Sequence, residues 1–305
     1  MLSFIVRRLL IILPMVLIVV TLTWGLIRIA PGNFYSGEKK LPAAIEATIR
    51  KKYGLDKPWY EQYGMMISNI VRGDFGDSLK YQGQTVNEII KRHLPYSATI
   101  GILGYLLALA VGLTTGTVAA LKQNSSFDYS SMSFAMLGLS IPNFVLGPIL
   151  VLIFAFWFYI LPPARWGGPT ALILPVVTLA AVYAAYIARL TRAGMLEVMR
   201  SDYIRTARAK GLDEKTVLLR HAIRGGLIPV ISFTGPALAG LLAGTVIVER
   251  VFAIPGLGNI FIQAVLNRDE PLILGIVAFL SILIMVFNLI VDISYGFLDP
   301  RIRYE

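Results

Sequence analysis

Residues 9–29, LLIILPMVLIVVTLTWGLIRI, form a continuous apolar run near the start of the chain and decide the class of fold. A hydrocarbon core about 30 Å thick needs roughly 20 apolar residues of helix, so this run can cross a bilayer. Arg7 and Arg8 precede it, as in a signal peptide. The run exceeds the roughly 7–15 residues of a signal core, and no small-residue cleavage site follows. We therefore predict an uncleaved first transmembrane helix.

Five further apolar runs predict six transmembrane helices in all. They cover residues 97–121, 131–160, 171–190, 227–249 and 271–293. Of the 305 residues, 56% are hydrophobic and 15% charged, whereas a soluble domain is nearer a quarter charged. The composition and the runs together predict an all-α polytopic membrane protein.

The positions of Lys and Arg predict the orientation of these helices. Segment 189–224 carries nine basic residues against four acidic ones, and the two termini carry Arg7, Arg8, Arg301 and Arg303. We expect both termini and segment 189–224 to be cytoplasmic. Segment 31–96 is then outside, with one or two short helices such as 41–53. The net charge of +10 reflects this loop bias and does not indicate nucleic-acid binding.

Glycine and proline punctuate the predicted spans. The pairs Gly112-x-x-x-Gly116 and Gly240-x-x-x-Gly244 predict close approach of helix backbones. Pro142 and Pro148 interrupt the third run, and the carbonyls they free need partners inside the protein or in a water-lined cavity. These features indicate either ordinary packing or kinked helices around a gated path. The polar side chains that either line this path or bond to other helices are Ser140, Asn143, Thr178, Tyr183, Thr234 and Asn288.

The centres of the six runs contain no charged residue or histidine. Arg28, Glu249, Arg250 and Asp292 lie near span ends, where we expect the side chains to reach the interface, with Asp292 paired to Arg301 or Arg303. Ion-coupled carriers usually have an intramembrane carboxylate, so this pattern disfavours one. Since no Gly-x-x-x-x-Gly-Lys-Ser/Thr loop is present, energy for pumping must come from a partner. A passive channel would need none.

An enzyme in the membrane would need a catalytic cluster, and the sequence offers none. It has no cysteine, two distant histidines, no His-Glu-x-x-His and no Gly-x-Ser-x-Gly. Asp74 and Asp77 are the only close acidic pair of the external segment. Because they alternate with Gly73 and Gly76, we interpret them as turn formers and expect no metal site.

Residues 201–211, SDYIRTARAKG, predict a short capped helix in the cytoplasmic segment. Ser201 is placed to accept from first-turn amides, Asp202 and Lys210 complement the helix dipole, and Gly211 ends the helix in the left-handed conformation. Such a helix is too short to be stable alone in water, so it would gain stability in a partner's groove. The alternative is a basic loop that touches lipid headgroups. The residues of this predicted docking helix are Asp202, Tyr203, Arg205, Thr206, Ala207, Arg208, Ala209, Lys210 and Gly211.

The stretches YIRTARAKG (203–211), LRHA (219–222) and LIP (227–229) resemble the cytoplasmic coupling loop of ATP-binding-cassette importer permeases of the dipeptide, oligopeptide and nickel branch. In the wider family this loop begins Glu-Ala-Ala and has Gly six residues after the Glu. Here Arg205 and Thr206 replace the first two residues, while Ala207 and Gly211 match. The role of the family's Glu is therefore not transferred to Arg205.

The resemblance extends along nearly the whole chain. The stretches that carry it are RRL (7–9), APG (30–32), KYGLDKP (52–58), GDFG (73–76), PGLG (255–258) and LDPRIR (298–303), together with Glu249. Another set resembles the B-type permease subunit of oligopeptide importers: GEKKLP (37–42), LKY (79–81), TVN (85–87), ALKQN (120–124) and DY (128–129).

The resemblance implies a type I importer permease with six spans. Helix 1–30 would be followed by an extracytoplasmic segment 31–93, a permease core 94–295 that contains the coupling loop 194–226, and a cytoplasmic tail 296–305. It implies import of oligopeptides, or of dipeptides, across the cell's cytoplasmic membrane. The implied partners are a second homologous permease chain, two cytoplasmic ATPase chains that hold ATP and Mg, and an external peptide-binding protein. Import of nickel or another small solute, and a channel or carrier acting alone, are the alternatives.

Overall fold

Helices make up most of residues 2–30, 54 and 56–298, which are the residues that a computed structural model describes. The expected helix 41–53 and the C-terminal Arg301 and Arg303 lie outside them. The helices are α1 Leu2–Ile29, α2 Trp59–Val71, α3 Val86–Leu121, α4 Ser126–Ser140, α5 Asn143–Trp157, α6 Pro169–Met199, α7 Asp202–Ala209, α8 Glu214–Gly226, α9 Ile228–Val251, α10 Leu257–Asn267 and α11 Glu270–Leu298.

Four of these helices, α1, α3, α6 and α11, are each long and apolar enough to cross a membrane. Two bent pairs pass the same test of length and composition: α4 with α5, bent by 106°, and α8 with the first part of α9, bent by 48°. In the second pair the apolar run 227–249 lies on α9. When each bent pair is counted as one span, the described residues hold six. The six predicted apolar runs therefore all fall on helices.

The third apolar run is broken at Pro142. Ile141 and Pro142 both have extended backbone dihedral angles, as expected for a proline and the residue before it, and α5 starts at Asn143. Pro148 lies inside α5 and does not end it. Of the two predicted interruptions, Pro142 therefore makes the break and Pro148 does not.

Helix α3 starts eleven residues before the apolar run at 97. Its start is a capping box: the Glu88 amide donates to Thr85 Oγ1 (3.2 Å), and the Thr85 amide donates to Glu88 Oε2 (3.1 Å). Hydropathy detects only the part of a helix that suits lipid, so it misses a polar first turn. Helix α3 thus begins within segment 31–93, before the predicted start of the core at 94.

The chain divides into two compact units, of which the first comprises residues 1–95 and 256–286. One apolar core joins α3, α10 and α11 through Ile89, Leu257 and Leu272; another joins α1 and α11 through Val20 and Ala278. Between α2 and α3, Gly73 and Gly76 have positive φ, and the Gly76 amide donates to Asp74 Oδ1 (2.9 Å). Asp74 thus forms a turn, as predicted.

Asp269 fixes this same inter-helix loop to the start of α11. The fully buried carboxylate accepts from the Ser78 hydroxyl and from the amides of Leu79 (3.1 Å) and Lys80 (3.1 Å). It also accepts from the Leu272 amide in the first turn of α11 (3.4 Å). One side chain therefore satisfies backbone donors from two distant parts of the sequence. Nothing in the local pattern at 269 predicted this role.

The second unit comprises residues 96–255 and 287–305, and it includes the close contact predicted for Gly112 and Gly116. A Cβ at Gly116 would lie 2.5 Å from the Ala188 carbonyl oxygen, and one at Gly112 would lie 2.9 Å from that of Ala184. Helices α3 and α6 therefore pack backbone to backbone at these glycines.

Glu249 does not reach an interface, contrary to the sequence prediction. Its side chain is fully buried, and Ser97 Oγ donates to its Oε1 at 2.6 Å. Burial of a carboxylate is tolerated where hydrogen-bond donors replace water. A position near the end of a span therefore did not predict whether the Glu249 side chain is exposed, because α9 packs this turn against α3 in the same unit. Arg301 and Arg303, which were predicted to pair with Asp292, lie outside the described residues.

Candidate functional site

The predicted docking helix is present as α7, which begins at Asp202 and ends at Ala209. It directly follows the long helix α6, whose last residue is Met199. The inner side of α7 presents Ile204 and Ala207, which are buried in a cluster with Met195, Val217 and Ala222. The short helix is therefore held by its own chain.

Ala207, which the sequence analysis assigned to the docking helix, lies on the inner side of that helix. Ala207 is 6% exposed because it packs against the chain's own cluster around Met195. The face that remains open is polar. It presents Asp202, Tyr203, Arg205, Thr206, Arg208, Ala209, Lys210 and Gly211.

The two ends of α7 differ in how well they were predicted. Gly211 has φ of +78°, the left-handed conformation expected of a residue that stops a helix. Ser201 precedes the helix in an extended conformation, but its hydroxyl donates to the Val198 carbonyl (2.6 Å) and caps no first-turn amide. The hydroxyl thus ties α7 back to the last turn of α6.

Ion pairs order the exposed face of α7. Arg208 donates to both carboxylate oxygens of Glu214, at 2.7 and 3.2 Å, which joins α7 to α8. This hydrogen bonding raises the pKa of Arg208. Asp213 caps α8 by accepting from the Thr216 amide (3.1 Å), and hydrogen bonding to Thr216 lowers the pKa of Asp213. The α7–α8 connection is thus a defined structure on which Arg205 and Lys210 stay exposed.

A second pair, which the sequence prediction missed, lies between α4 and α6. Arg192 donates through Nε and Nη2 to the two oxygens of Asp128, at 2.6 and 2.7 Å. Asp128 is buried and Arg192 is partly exposed. The capping pattern Ser125-x-x-Asp128 was a local signal for the helix start, but no local signal pairs Asp128 with Arg192.

Among the predicted lining residues, Ser140 and Asn143 flank the break at Pro142. Ser140 is exposed, and its hydroxyl donates to the Met136 carbonyl (2.8 Å). Asn143 begins α5, and its Oδ1 is buried with no hydrogen-bond partner among the described residues. These two residues lie on either side of the break, and their role as lining remains a prediction.

The other four lie within the packing of the second unit. Thr178 is fully buried and donates to the Leu174 carbonyl (2.7 Å), so it lines no open surface of this chain. Thr234 accepts from Tyr105 (2.7 Å), which joins α9 to α3. Tyr183 and Asn288 are partly buried beside glycines: a Cβ at Gly240 would lie 2.7 Å from the Tyr183 hydroxyl, and one at Gly235 3.0 Å from Asn288 Oδ1.

Several helices long and apolar enough to cross a bilayer, one of them followed by the exposed polar helix α7, define a membrane protein. Two family models match the chain: the binding-protein-dependent transport system inner membrane component over residues 112–304, and the corresponding N-terminal component over residues 1–100. The chain belongs to this family of inner membrane components. It is a multi-pass membrane protein, as predicted.

Individual relatives indicate which branch of this family the chain is similar to. The chain is 45% identical to the oligopeptide transport system permease protein OppB of Haemophilus influenzae and 43% identical to that of Salmonella typhimurium, over the full length of each. It is 40% identical to the dipeptide transport system permease protein DppB of Bacillus subtilis, over 94% of both chains. The resemblance to the oligopeptide and dipeptide branch is confirmed.

A solved structure supports the fold. A chain of the MetNI methionine ABC transporter, in an inward-facing conformation, superimposes with a TM-score of 0.60 at 16% sequence identity. The match covers 69% of this chain and 96% of that chain. This likeness confirms the importer permease fold.

Proposed function

We propose that this chain is a transmembrane permease subunit of an ATP-driven importer of oligopeptides. The observation that carries the proposal is the full-length identity of 45% to an oligopeptide transport permease. The chemistry of the chain fits: its apolar spans and uncharged run centres suit a path that accepts many peptide side chains. Import of dipeptides is the neighbouring alternative, supported by the likeness to DppB.

The proposed assembly has a second homologous permease chain, two cytoplasmic ATPase chains that bind ATP and Mg, and an external peptide-binding protein. In this assembly both termini and the α7–α8 segment are cytoplasmic, and segment 31–93 is external. The core 94–295 forms the path with the second permease. Hydrolysis takes place in the ATPase chains, and this chain transmits its effect.

Within this assembly, the open face of α7 docks on an ATPase chain. Burial of Ile204 and Ala207 fixes the helix to the permease, so a push on its polar face reaches α6 directly. ATP can bias the transporter only by binding one state better than the other, and a rigid docked helix is a lever for that bias. Arg205 and Lys210 supply positive charge on this face.

The test is a gentle-detergent purification of the tagged chain, with mass spectrometry of the proteins that accompany it. We expect one homologous permease and two ATPase chains. The double variant Arg205→Glu with Lys210→Glu should lose the ATPase chains and keep the second permease, because it reverses the exposed charges of the docking face and leaves the Arg208–Glu214 pair in place. Recovery of the chain alone, or only as a homo-oligomer, would contradict the proposal.

A control is Arg72→Glu, which makes one such charge reversal on an exposed residue at the end of α2. We expect it to retain both ATPase chains, because Arg72 lies in the proposed external segment. Gly211→Ala is a second comparison: its backbone φ of +78° strains any side chain, although the space around it is open. It therefore tests the shape of the helix end separately from its charge.

A further inference from the structure

We propose that Asp128 and Arg192 are positioning residues for energy coupling, because they make the turn between α3 and α4 move as one body with the docking helix α7. This turn, residues 122–125, is called here the α3–α4 turn. The inference rests on the proposed function, since it assumes that ATPase chains move α7. The inference adds the α3–α4 turn as a second element, besides α7, that the motion of the ATPase chains reaches directly.

The Asp128 carboxylate organises the α3–α4 turn from inside. The Asp128 amide donates to Ser125 Oγ (3.3 Å), and Asp128 Oδ2 accepts from the Asn124 amide (3.0 Å). This is the reciprocal pattern of a capping box, shifted by one residue. It holds Asn124 at φ of +60°, which non-glycine residues rarely adopt. The shape of the turn thus depends on this carboxylate.

The same carboxylate receives both donors of Arg192 from α6. The two contacts are parallel, at 2.6 and 2.7 Å, and Asp128 is 1% exposed. A bidentate pair fixes direction as well as distance. Loss of one partner from a buried pair leaves an uncompensated charge, so the pair resists separation. The turn and α6 are therefore fastened at one point.

Two further contacts fasten the turn nearer to α7. Arg200, the residue after α6, donates through Nη2 to Gln123 Oε1 (3.2 Å). Ala120, in the last turn of α3, is buried in the same cluster as Ile204 and Ala207 of α7. The turn and the end of α3 are therefore attached at three separate points: to α6, to the residue that links α6 to α7, and to the apolar cluster that holds α7. A single contact would allow rotation between them. Lys122 and Gln123 remain exposed.

As a consequence, the motion of α7 is transmitted through more than one helix. When α7 moves, the α3–α4 turn follows, and α3 and α4 transmit the motion along two helices in addition to α6. The Asp128–Arg192 pair carries this transmission because it joins the inside of the turn to α6 through two hydrogen bonds. Removal of the pair should leave ATPase docking on the open face of α7 intact. Each ATP hydrolysed should then drive less peptide import.

The test measures peptide imported per ATP hydrolysed by the purified complex in vesicles. Asp128→Asn with Arg192→Gln removes both charges, so neither partner is left as a buried, unpaired ion. We expect this variant to assemble with both ATPase chains and to hydrolyse ATP, with the ratio lowered by about twofold to thirtyfold, the range that coupling mutations produce. Arg192→Lys keeps the charge but loses the bidentate contact, and we expect an intermediate ratio.

A matched control is Lys122→Gln, which removes one positive charge from the same turn without touching the pair. We expect its ratio to equal that of the parent chain. An unchanged ratio in the assembled double variant would overturn the inference while leaving the proposed function intact. Absence of ATP-dependent uptake by the parent complex would instead refute the proposed function, so the two failures are distinguishable.

A cross-link tests the rigid attachment itself, and the chain has no cysteine to interfere. Gln123→Cys with Arg200→Cys places one thiol on each side of the contact, and a short bifunctional thiol reagent joins them. If the turn and α7 move as one body, the bridged transporter keeps its uptake and its ratio of peptide to ATP. Loss of uptake on bridging, with the unbridged variant active, would show that they separate during the cycle and would overturn the inference.

Discussion

Gly116 shows how little space a single position can have. Its missing Cβ would lie 2.5 Å from the Ala188 carbonyl oxygen and 2.7 Å from Thr191 Cβ, so α3 or α6 must shift to admit a side chain. Overpacking of this kind typically costs about 1–3 kcal/mol. We therefore expect Gly116→Ala to lower the thermal unfolding temperature of the purified complex, measured by loss of the intact assembly on heating.

Gly101→Ala is the control for this prediction. A Cβ at Gly101 would lie 3.9 Å from Thr245 Cγ2, an ordinary contact, and alanine favours a helix more than glycine does. This variant should unfold at the parent temperature or slightly above it. Equal destabilisation by the two substitutions would contradict the packing argument, because a Cβ at Gly101 makes no tight contact.

Residue roles could be predicted only where a local rule decides them. The small-residue spacing at Gly112 and Gly116 and the αL conformation at Gly211 follow from backbone geometry, and both predictions are confirmed. Burial of Ala207 and Glu249 depends on which helix packs nearby, and the sequence predicted it for neither residue. Spacing within one element carries no information about that neighbour.

At the scale of elements, the break at Pro142 is the clearest departure from a simple span. Proline disfavours a helix interior by about 3 kcal/mol relative to alanine, so Pro142→Ala favours a continuous helix over the 106° bend. We expect peptide uptake, compared at equal amounts of assembled complex, to fall by roughly tenfold or more, as for a population shift against the bent form.

Pro148→Ala provides the comparison within the same helix pair. Pro148 lies inside α5, which continues past it, so its replacement changes no bend. Uptake by this variant should stay close to that of the parent chain. If Pro148→Ala lowered uptake as strongly as Pro142→Ala, the bend would not be the feature that matters.

Element positions were predicted well and element ends poorly. All six apolar runs fall on helices, because the bilayer demands a long apolar stretch. The start of α3 at Val86 and the end of α6 at Met199 extend beyond the runs, since a helix continues into water when caps and packing support it. Hydropathy does not detect the polar part of a helix that extends beyond its apolar run.

For the whole assembly, the open face of α7 predicts a dependence on salt. The Arg205 side chain is 72% exposed, so its interactions with a partner are screened by ions. The Debye length falls from about 8 Å at 0.15 M salt to about 3 Å at 1 M. We expect recovery of the ATPase chains in the purification to decrease as KCl rises, while recovery of the second permease decreases less.

The variant Arg205→Gln tests the origin of this dependence. It should recover fewer ATPase chains at low salt and lose fewer as salt rises, because a screened charge has been removed. A parent complex that holds its ATPase chains equally at all salt concentrations would contradict electrostatic docking. In that case Tyr203 and the apolar parts of the face would be the next residues to replace.

Asp269 sets an order of events during synthesis. Its Ser78 partner lies 191 residues earlier, so a ribosome that adds about 5–20 residues per second needs about 10–40 s to supply the carboxylate after Ser78 has been made. Until then the amides of Leu79 and Lys80 lack their acceptor. The loop between α2 and α3 is therefore completed late, by the arrival of α11, and a nascent chain interrupted before Asp269 displays an unfinished loop to quality-control proteases.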